Sequence, residues 1–178
     1  FNESRRRFLA TTAGAATVAA LAAGAVTGRA HARPEEKPAP KAKGRVPLKD
    51  GDPIRVGVIG IGGAPGACAM GLGHCLSLVE IGKNKRENVQ VVAVCDLNNK
   101  YLEQGKSKIE KAQPGIKVDT YRSSADLLKR DDIHGVVIAT PEHAHSANGI
   151  EAILAGKDVY LEKPMTLNLQ QALDLYKV

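Results

Sequence analysis

Between Ile54 and Gly66 the chain runs Ile-Arg-Val-Gly-Val-Ile-Gly-Ile-Gly-Gly-Ala-Pro-Gly, and no other stretch limits the fold so tightly. A short β-branched run that ends in clustered glycines and then opens a helical pattern turns backbone N–H groups, and the positive end of a helix, towards an anion. Gly60 and Gly62 allow the tight turn and a close approach of backbone to a pyrophosphate, with no Cβ in the way. The spacing departs from G-x-G-x-x-G: Pro65 stands where the third glycine belongs, and Gly66 follows one residue late. The next apolar run, Val89–Cys95, is expected to be a buried parallel strand, and Asp96 just past its end is placed to accept both hydroxyls of an adenosine ribose. The same carboxylate repels a 2′-phosphate, so the expected cofactor is NAD, with NADP disfavoured. Gly66 and Asp96 are 30 residues apart, more than the usual interval of about 20, and the excess is assigned to a surface loop at Lys83–Asn88.

Beyond Pro53 strand and helix patterns alternate. Strands are expected at Ile54–Gly60, Val89–Cys95, Ile116–Tyr121, Gly135–Ala139 and Asp158–Leu161. Helices are expected at Gly66–Ile81, Asn98–Ala112 with Asn98 as N-cap, Ser123 or Ser124 to Lys129, His145–Ala155 and Leu167–Val178. This order implies an α/β fold, a doubly wound parallel sheet with right-handed crossovers, whose ligands sit beyond the carboxyl ends of the strands. Those ends are Gly60-Ile61-Gly62, Asp96, Thr140-Pro141-Glu142-His143-Ala144-His145 and Glu162-Lys163-Pro164, so ionisable residues gather along one edge of the sheet. His143 and His145 form a His-x-His pair, but no Cys or carboxylate pair joins them, and no metal site is expected. Cys68, Cys75 and Cys95 are odd in number and read as small buried hydrophobes rather than a disulfide framework. His74, beside Cys75, reads as a packing residue.

Ahead of the sheet the composition changes. Residues 1–32 have the order of an export signal: Arg5-Arg6-Arg7, an uncharged Ala-rich segment from Ala10 to Gly28, and Ala30-His31-Ala32 as a small-x-small cleavage site. Paired arginines before Phe8-Leu9 resemble a twin-arginine (Tat) signal. The expected partner is therefore the Tat export machinery and the expected location periplasmic or otherwise extracytoplasmic, membrane-anchored if the segment is retained. Residues 33–52, with Pro34, Pro38, Pro40 and Pro47 among Lys, Glu and Ala, read as an extended tether. Residues 53–165 form the dinucleotide-binding domain, and 166–178 start a helix leading out of it. Half of the formal charge of +6 belongs to the leader, where Arg5, Arg6, Arg7 and Arg29 face Glu3. With 3% aromatic residues and no Trp, the chain has no basic stripe interleaved with aromatics and is not expected to bind nucleic acid.

Three segments, Gly57-Val58-Ile59-Gly60-Ile61-Gly62-Gly63, Ala139–His145 and Gly156–Pro164, together resemble the glucose–fructose oxidoreductase / inositol dehydrogenase (Gfo/Idh/MocA) family. The likeness runs from Ile54 to Val178, its most specific parts being the Glu-Lys-Pro after the fifth strand and the Thr-Pro-x-x-x-His after the fourth. The resemblance implies a Rossmann dinucleotide-binding fold in which Gly60, Gly62, Gly63 and Gly66 hold the pyrophosphate and Asp96 binds the adenosine ribose. It implies that Thr140, Pro141 and His145 line the nicotinamide ribose region and that Glu162 contacts the cofactor near the nicotinamide. Lys163 then points at the substrate and helps take a proton from its hydroxyl. The implied activity is hydride transfer between a nicotinamide cofactor and a sugar or polyol. In that family a second α/β substrate domain supplies the acid/base partner, most sugar contacts and much of the homo-oligomer interface. That domain is absent from this chain, which is expected to bind cofactor without being a complete catalyst. Several members are exported by the Tat route with NADP or NAD bound, in agreement with the leader. Other readings stay open: an NAD-dependent glycosidase of similar architecture, against which Lys163 weighs; a non-catalytic NAD-binding module; and a methyltransferase, disfavoured by the Glu-Lys-Pro and Thr-Pro segments.

Overall fold

The computed structural model describes residues 41–62 and 69–178. The export-signal reading of residues 1–32, the first part of the tether, and Gly63, Gly66 and Cys68 lie outside the described residues. Five parallel strands form one sheet: β1 Ile54–Ile59, β2 Val89–Cys95, β3 Asp119–Tyr121, β4 Gly135–Ile138 and β5 Asp158–Leu161, in the spatial order β3-β2-β1-β4-β5. Between and after them run α1 Met70–Lys83, α2 Asn99–Ala112, α3 Ser124–Leu128, α4 His145–Leu154 and α5 Leu169–Tyr176.

Each face of the sheet has its own core. On one, Val58, Val91 and Val94 meet Cys75 and Val79 of α1 and Leu102 and Ile109 of α2. On the other, Ile59, Ala93 and Ile138 meet Leu127 and Leu128 of α3 and Ala152 of α4. A sheet covered on both faces cannot alternate polar with apolar, which is why β1, β2 and β4 read as near-continuous Val and Ile. The chain order reverses between β1 and β4, and that reversal opens a crevice at their carboxyl ends.

A bulge interrupts β2. Val56 pairs with Val91 but Gly57 pairs with Ala93, so Val92 is the extra residue. Val92 and Ala93 therefore turn to the same core, while Val91 and Val94 belong to the other. Gln113, buried just past α2, pins the bulge: its amide donates to the Val91 carbonyl at 2.6 Å and accepts the Val91 N–H at 3.3 Å.

Strands β2 and β5 match the expected boundaries, and Asn98 caps α2, its Oδ1 accepting the Lys100 N–H at 3.0 Å. Strand β3 starts at Asp119 instead of Ile116, because the Ile116 N–H turns back to the Gln113 carbonyl and the Val118 N–H is taken by Glu110. Helix α1 starts at Met70. Helix α5 is shorter than the expected Leu167–Val178 because Asn168 caps it, its Oδ1 accepting the Gln171 N–H at 2.9 Å while the Gln171 side chain accepts the Leu167 N–H at 2.8 Å. The described end of the tether runs along the domain: the Lys43 N–H donates to the Leu154 carbonyl at 2.9 Å, and Arg45 pairs with Asp158 at 3.2 Å. A helix C-terminus leaves carbonyls unpaired, and this passing backbone satisfies one of them.

The amino ends of the strands are closed by two cations. Arg130 grips Asp132 with two bonds of 2.8 and 2.7 Å and reaches Asp119 at 2.9 Å and the Val92 carbonyl at 3.2 Å. The bidentate Arg130 contact holds the Asp132 carboxyl below the usual carboxylate range. Lys157, 5% exposed, donates to the Arg130 carbonyl at 2.6 Å and the Ile133 carbonyl at 2.9 Å. Burial pushes its pKa below the ordinary lysine value.

Candidate cofactor site

At the opposite edge the design depends on side chains that are missing. Gly60 has φ +85°, and a Cβ there would lie 2.6 Å from the Thr140 nitrogen, so the turn after β1 can touch the backbone after β4 only as glycine. Gly62, with φ +61°, donates its N–H to Asp96 Oδ2 at 3.0 Å. Asp96 Oδ1 accepts the Asn98 N–H at 2.9 Å, and the Asp96 N–H is tied to the Tyr121 carbonyl at 3.1 Å. An ionised carboxylate offers about two acceptor positions per oxygen, so about one on each remains for a ligand's hydroxyls.

The glycine that packs the next helix against this turn is Gly71. A Cβ on Gly71 would overlap the Gly60 carbonyl oxygen, and the Leu72 N–H bonds the Ile61 carbonyl at 2.9 Å. This is the close helix–strand contact that the third glycine of a dinucleotide fingerprint provides. Sequence reading looked for it at Gly66. The findable signal was positional: Gly71 is the second residue of α1, where helix and turn must meet.

A cleft of about 750 Å³ lies over these groups, bordered by Gly60, Gly62 and Asp96 on one side and by Thr140, Pro141 and His143 on the other. Its size is within the range of small-molecule and cofactor sites. Arg122, Ser123 and Ser124 close the Asp96 end, with Arg122 Nη2 on the Leu97 carbonyl at 3.0 Å. These three were missed as site residues; their signal was that they follow β3 directly, at the same edge as Asp96. The residues present fit a dinucleotide: a glycine turn that a Cβ would fill, an acceptor pair at Asp96, and a cleft spanning the sheet reversal.

Two expected cleft residues have a different place. His145 is 2% exposed and does not border the cleft; its Nδ1 lies 2.7 Å from the Pro164 carbonyl and its Nε2 2.7 Å from the Thr140 carbonyl. It ties the loop after β4 to the loop after β5. Glu162 turns to α1, where its Oε1 meets His74 Nε2 at 2.6 Å and its Oε2 accepts the Lys163 N–H at 3.0 Å. His74, and next the Lys163 N–H, hold the Glu162 carboxyl below the usual carboxylate range. The packing role read for His74 thus understates it. Lys163 is exposed and its peptide to Pro164 is cis. Burial pushes the Cys75 thiol up to about 12 and the Cys95 thiol up to about 11, which keeps both protonated and unreactive at neutral pH. Among the described residues no three His, Cys, Asp or Glu side chains gather as a metal-binding group.

A family model described as an oxidoreductase family with an NAD-binding Rossmann fold, Gfo/Idh/MocA, matches residues 54–178. The chain belongs to the Gfo/Idh/MocA family. What the structure describes of residues 54–178 is its NAD-binding Rossmann domain. Among solved structures, this Gfo/Idh/MocA domain is similar to myo-inositol dehydrogenase from Lactobacillus casei in complex with NAD(H) and myo-inositol, at 26% identity and a TM-score of 0.59 over 70% of this chain and 32% of that one. It is also similar to the WlbA dehydrogenase from Bordetella pertussis in complex with NADH and UDP-GlcNAcA, at 25% identity and a TM-score of 0.57 over 71% of this chain and 34% of that one. A curated relative, glycosyl hydrolase family 109 protein 2 from Shewanella sp. (strain ANA-3), is 32% identical over 174 residues, 96% of this chain and 36% of the relative. The chain thus spans about a third of the length of the relatives it matches.

Proposed function

We propose that this chain holds the cofactor of an NAD-dependent dehydrogenase acting on a sugar or polyol. The observation that carries the reading is the meeting of the Gly62 N–H with the Asp96 carboxylate at 3.0 Å beneath the cleft, which ties the glycine turn that a pyrophosphate would approach to the carboxylate that a ribose would meet. Bound there, the cofactor supplies a nicotinamide that accepts or returns hydride. Gly60 and Gly62, their own N–H groups tied to the Cys95 carbonyl and to Asp96, let a pyrophosphate come close to the backbone with no Cβ in the way, Asp96 accepts the adenosine ribose hydroxyls, and Thr140 and Pro141 border the nicotinamide end. The Lys163 amine makes no hydrogen bond or ion pair among the described residues and takes a proton from the substrate hydroxyl. A polyhydroxylated substrate is supported by the inositol and the UDP-sugar named for the two structural neighbours. Asp96 favours NAD over NADP, and Arg122 at the same end of the cleft is the group that sets how well a 2′-phosphate is tolerated. In a fluorescence titration the protein should bind NADH more tightly than NADPH, and Asp96→Ala should cost about tenfold in NADH affinity and erase the preference. Unchanged affinity and preference in that variant would overturn the site.

A second reading, an NAD-dependent glycosidase, is favoured by the Shewanella relative, whose match extends over 96% of this chain. Product analysis separates the two: a dehydrogenase accumulates NADH as sugar is consumed, whereas the glycosidase releases a leaving group with no net NADH. The leader, with Arg5 and Arg6 ahead of Phe8-Leu9, supports Tat export to the periplasm, and a substrate domain outside residues 1–178 would supply the acid/base partner and an oligomer interface. Fractionation of cells carrying Arg5→Lys with Arg6→Lys tests the export step: protein that still reaches the periplasm counts against it.

A further inference from the structure

Strand β5 is one of the two edge strands among the described residues and pairs with β4 alone. Its ladder ends where the Glu162 N–H donates to the Ile138 carbonyl at 3.0 Å, so nothing in the sheet itself fixes Lys163 beyond that bond. An edge strand has half the backbone support of a central one, and a residue just past its end needs other anchors to keep one position.

Two histidines supply them from opposite faces of the sheet. From α4, His145 holds the Pro164 carbonyl at 2.7 Å. From α1, His74 reaches Glu162 Oε1 at 2.6 Å with its side chain 24% exposed and that of Glu162 12% exposed. The other oxygen of the same carboxylate accepts the Lys163 N–H, so His74, Glu162 and the Lys163 backbone form one continuous chain of contacts. The ring of Tyr160 meets the His74 ring edge-on at a centroid distance of 5.4 Å and an angle of 61°, which restricts the imidazole in turn. A helix-to-strand staple for stability alone needs no carboxylate shared with the residue that follows.

We propose that His74 is a positioning residue for the nicotinamide end of the cleft, fixing the Glu162 carboxylate and through it the backbone of Lys163. The inference rests on the dinucleotide reading above, and goes beyond it by assigning a role to a helix residue outside the cleft. Removing His74 frees Glu162 and with it the Lys163 backbone, which disturbs the nicotinamide end while leaving the Gly62–Asp96 half as it was.

ADP-ribose separates the two halves, since it carries the adenosine, the pyrophosphate and the second ribose but no nicotinamide. Calorimetric titration of the full chain with NADH and with ADP-ribose should show His74→Ala weakening NADH by about three- to tenfold and ADP-ribose by less than about twofold. His74→Phe keeps a ring against Tyr160 and so protects the packing, and it should lose NADH affinity to the same degree. His74→Gln retains a donor of similar reach and should restore NADH binding to within about twofold of the native protein. Equal losses for both ligands, or NADH affinity unchanged in His74→Ala and His74→Phe, overturn the positioning role and leave His74 a structural staple. Failure of the native chain to bind either ligand overturns the dinucleotide reading, and this role with it.

Discussion

At the amino ends of β3, β4 and β5 the space is filled by long charged side chains, whereas at the carboxyl ends of β1 and β4 it is kept open by glycines. Arg130 and Lys157 direct their donors to Asp132, Asp119 and three backbone carbonyls, so these two cations are committed to the protein's own groups. Around Gly60, Gly62 and Asp96 the backbone approaches closely, and acceptor positions on the carboxylate stay available. The difference teaches that one sheet separates stability from binding by where it places side chains and where it omits them.

The strongest way to break that separation is to add a side chain at the carboxyl edge. Gly71→Val puts branched carbon into the Gly60 carbonyl and Ile61, and it should cost more than about 3 kcal/mol, read as loss of a cooperative thermal transition. At the amino edge, Lys157→Met keeps the stem but leaves the Arg130 and Ile133 carbonyls without their donor. Stability should fall by about 2 kcal/mol in a urea titration while NADH affinity holds, and a parallel loss of affinity would mean that the edges are not independent. Asp96→Ala is the mirror experiment: about a tenfold loss of NADH affinity with about 1 kcal/mol or less lost in stability, since two N–H bonds at a partly solvated turn are replaced by water. The smallest effect concerns acid. Asp132 has a lowered native pKa, so its contribution is complete above the unfolded value of about 4 and is lost as pH falls through the native value. With its side chain 40% exposed the contribution should stay below about 1 kcal/mol, and Asp132→Asn should flatten the dependence of the urea midpoint below about pH 4.

Much of the fold was legible because it follows from local rules. The mainly apolar runs at Val89–Cys95 and Asp158–Leu161 set two strands to the residue, and Asn98 announced its helix by its capping chemistry. What escaped depends on contacts between distant segments. The Val92 bulge needs Gln113, 21 positions later, to satisfy Val91, and no period in β2 reveals it. His145 had the right spacing for a cleft residue, yet its ring is claimed by two carbonyls behind the cleft wall. His74 looked apolar by its company on α1, and its meaning came only with Glu162, 88 positions away. Asp96, Gly60 and Gly62 stood out in the sequence by residue type at the ends of β1 and β2, although the contacts they make, Gly62 with Asp96 and Gly60 with the Thr140 backbone, join distant segments as well.

Gly62 and Gly71 stand nine positions apart, far wider than the interval in the usual fingerprint. The requirement at Gly71 is that a helix backbone rest on the carbonyl of Gly60, and that demand is met by where the helix lies, whatever number of residues precedes it. The contact at Gly71 is therefore a condition on where two backbones meet, and it fixes no count of residues between the two glycines. Searches for chains of this kind gain from a template written as two touching points in space, because a pattern written as a fixed count of letters passes this one over.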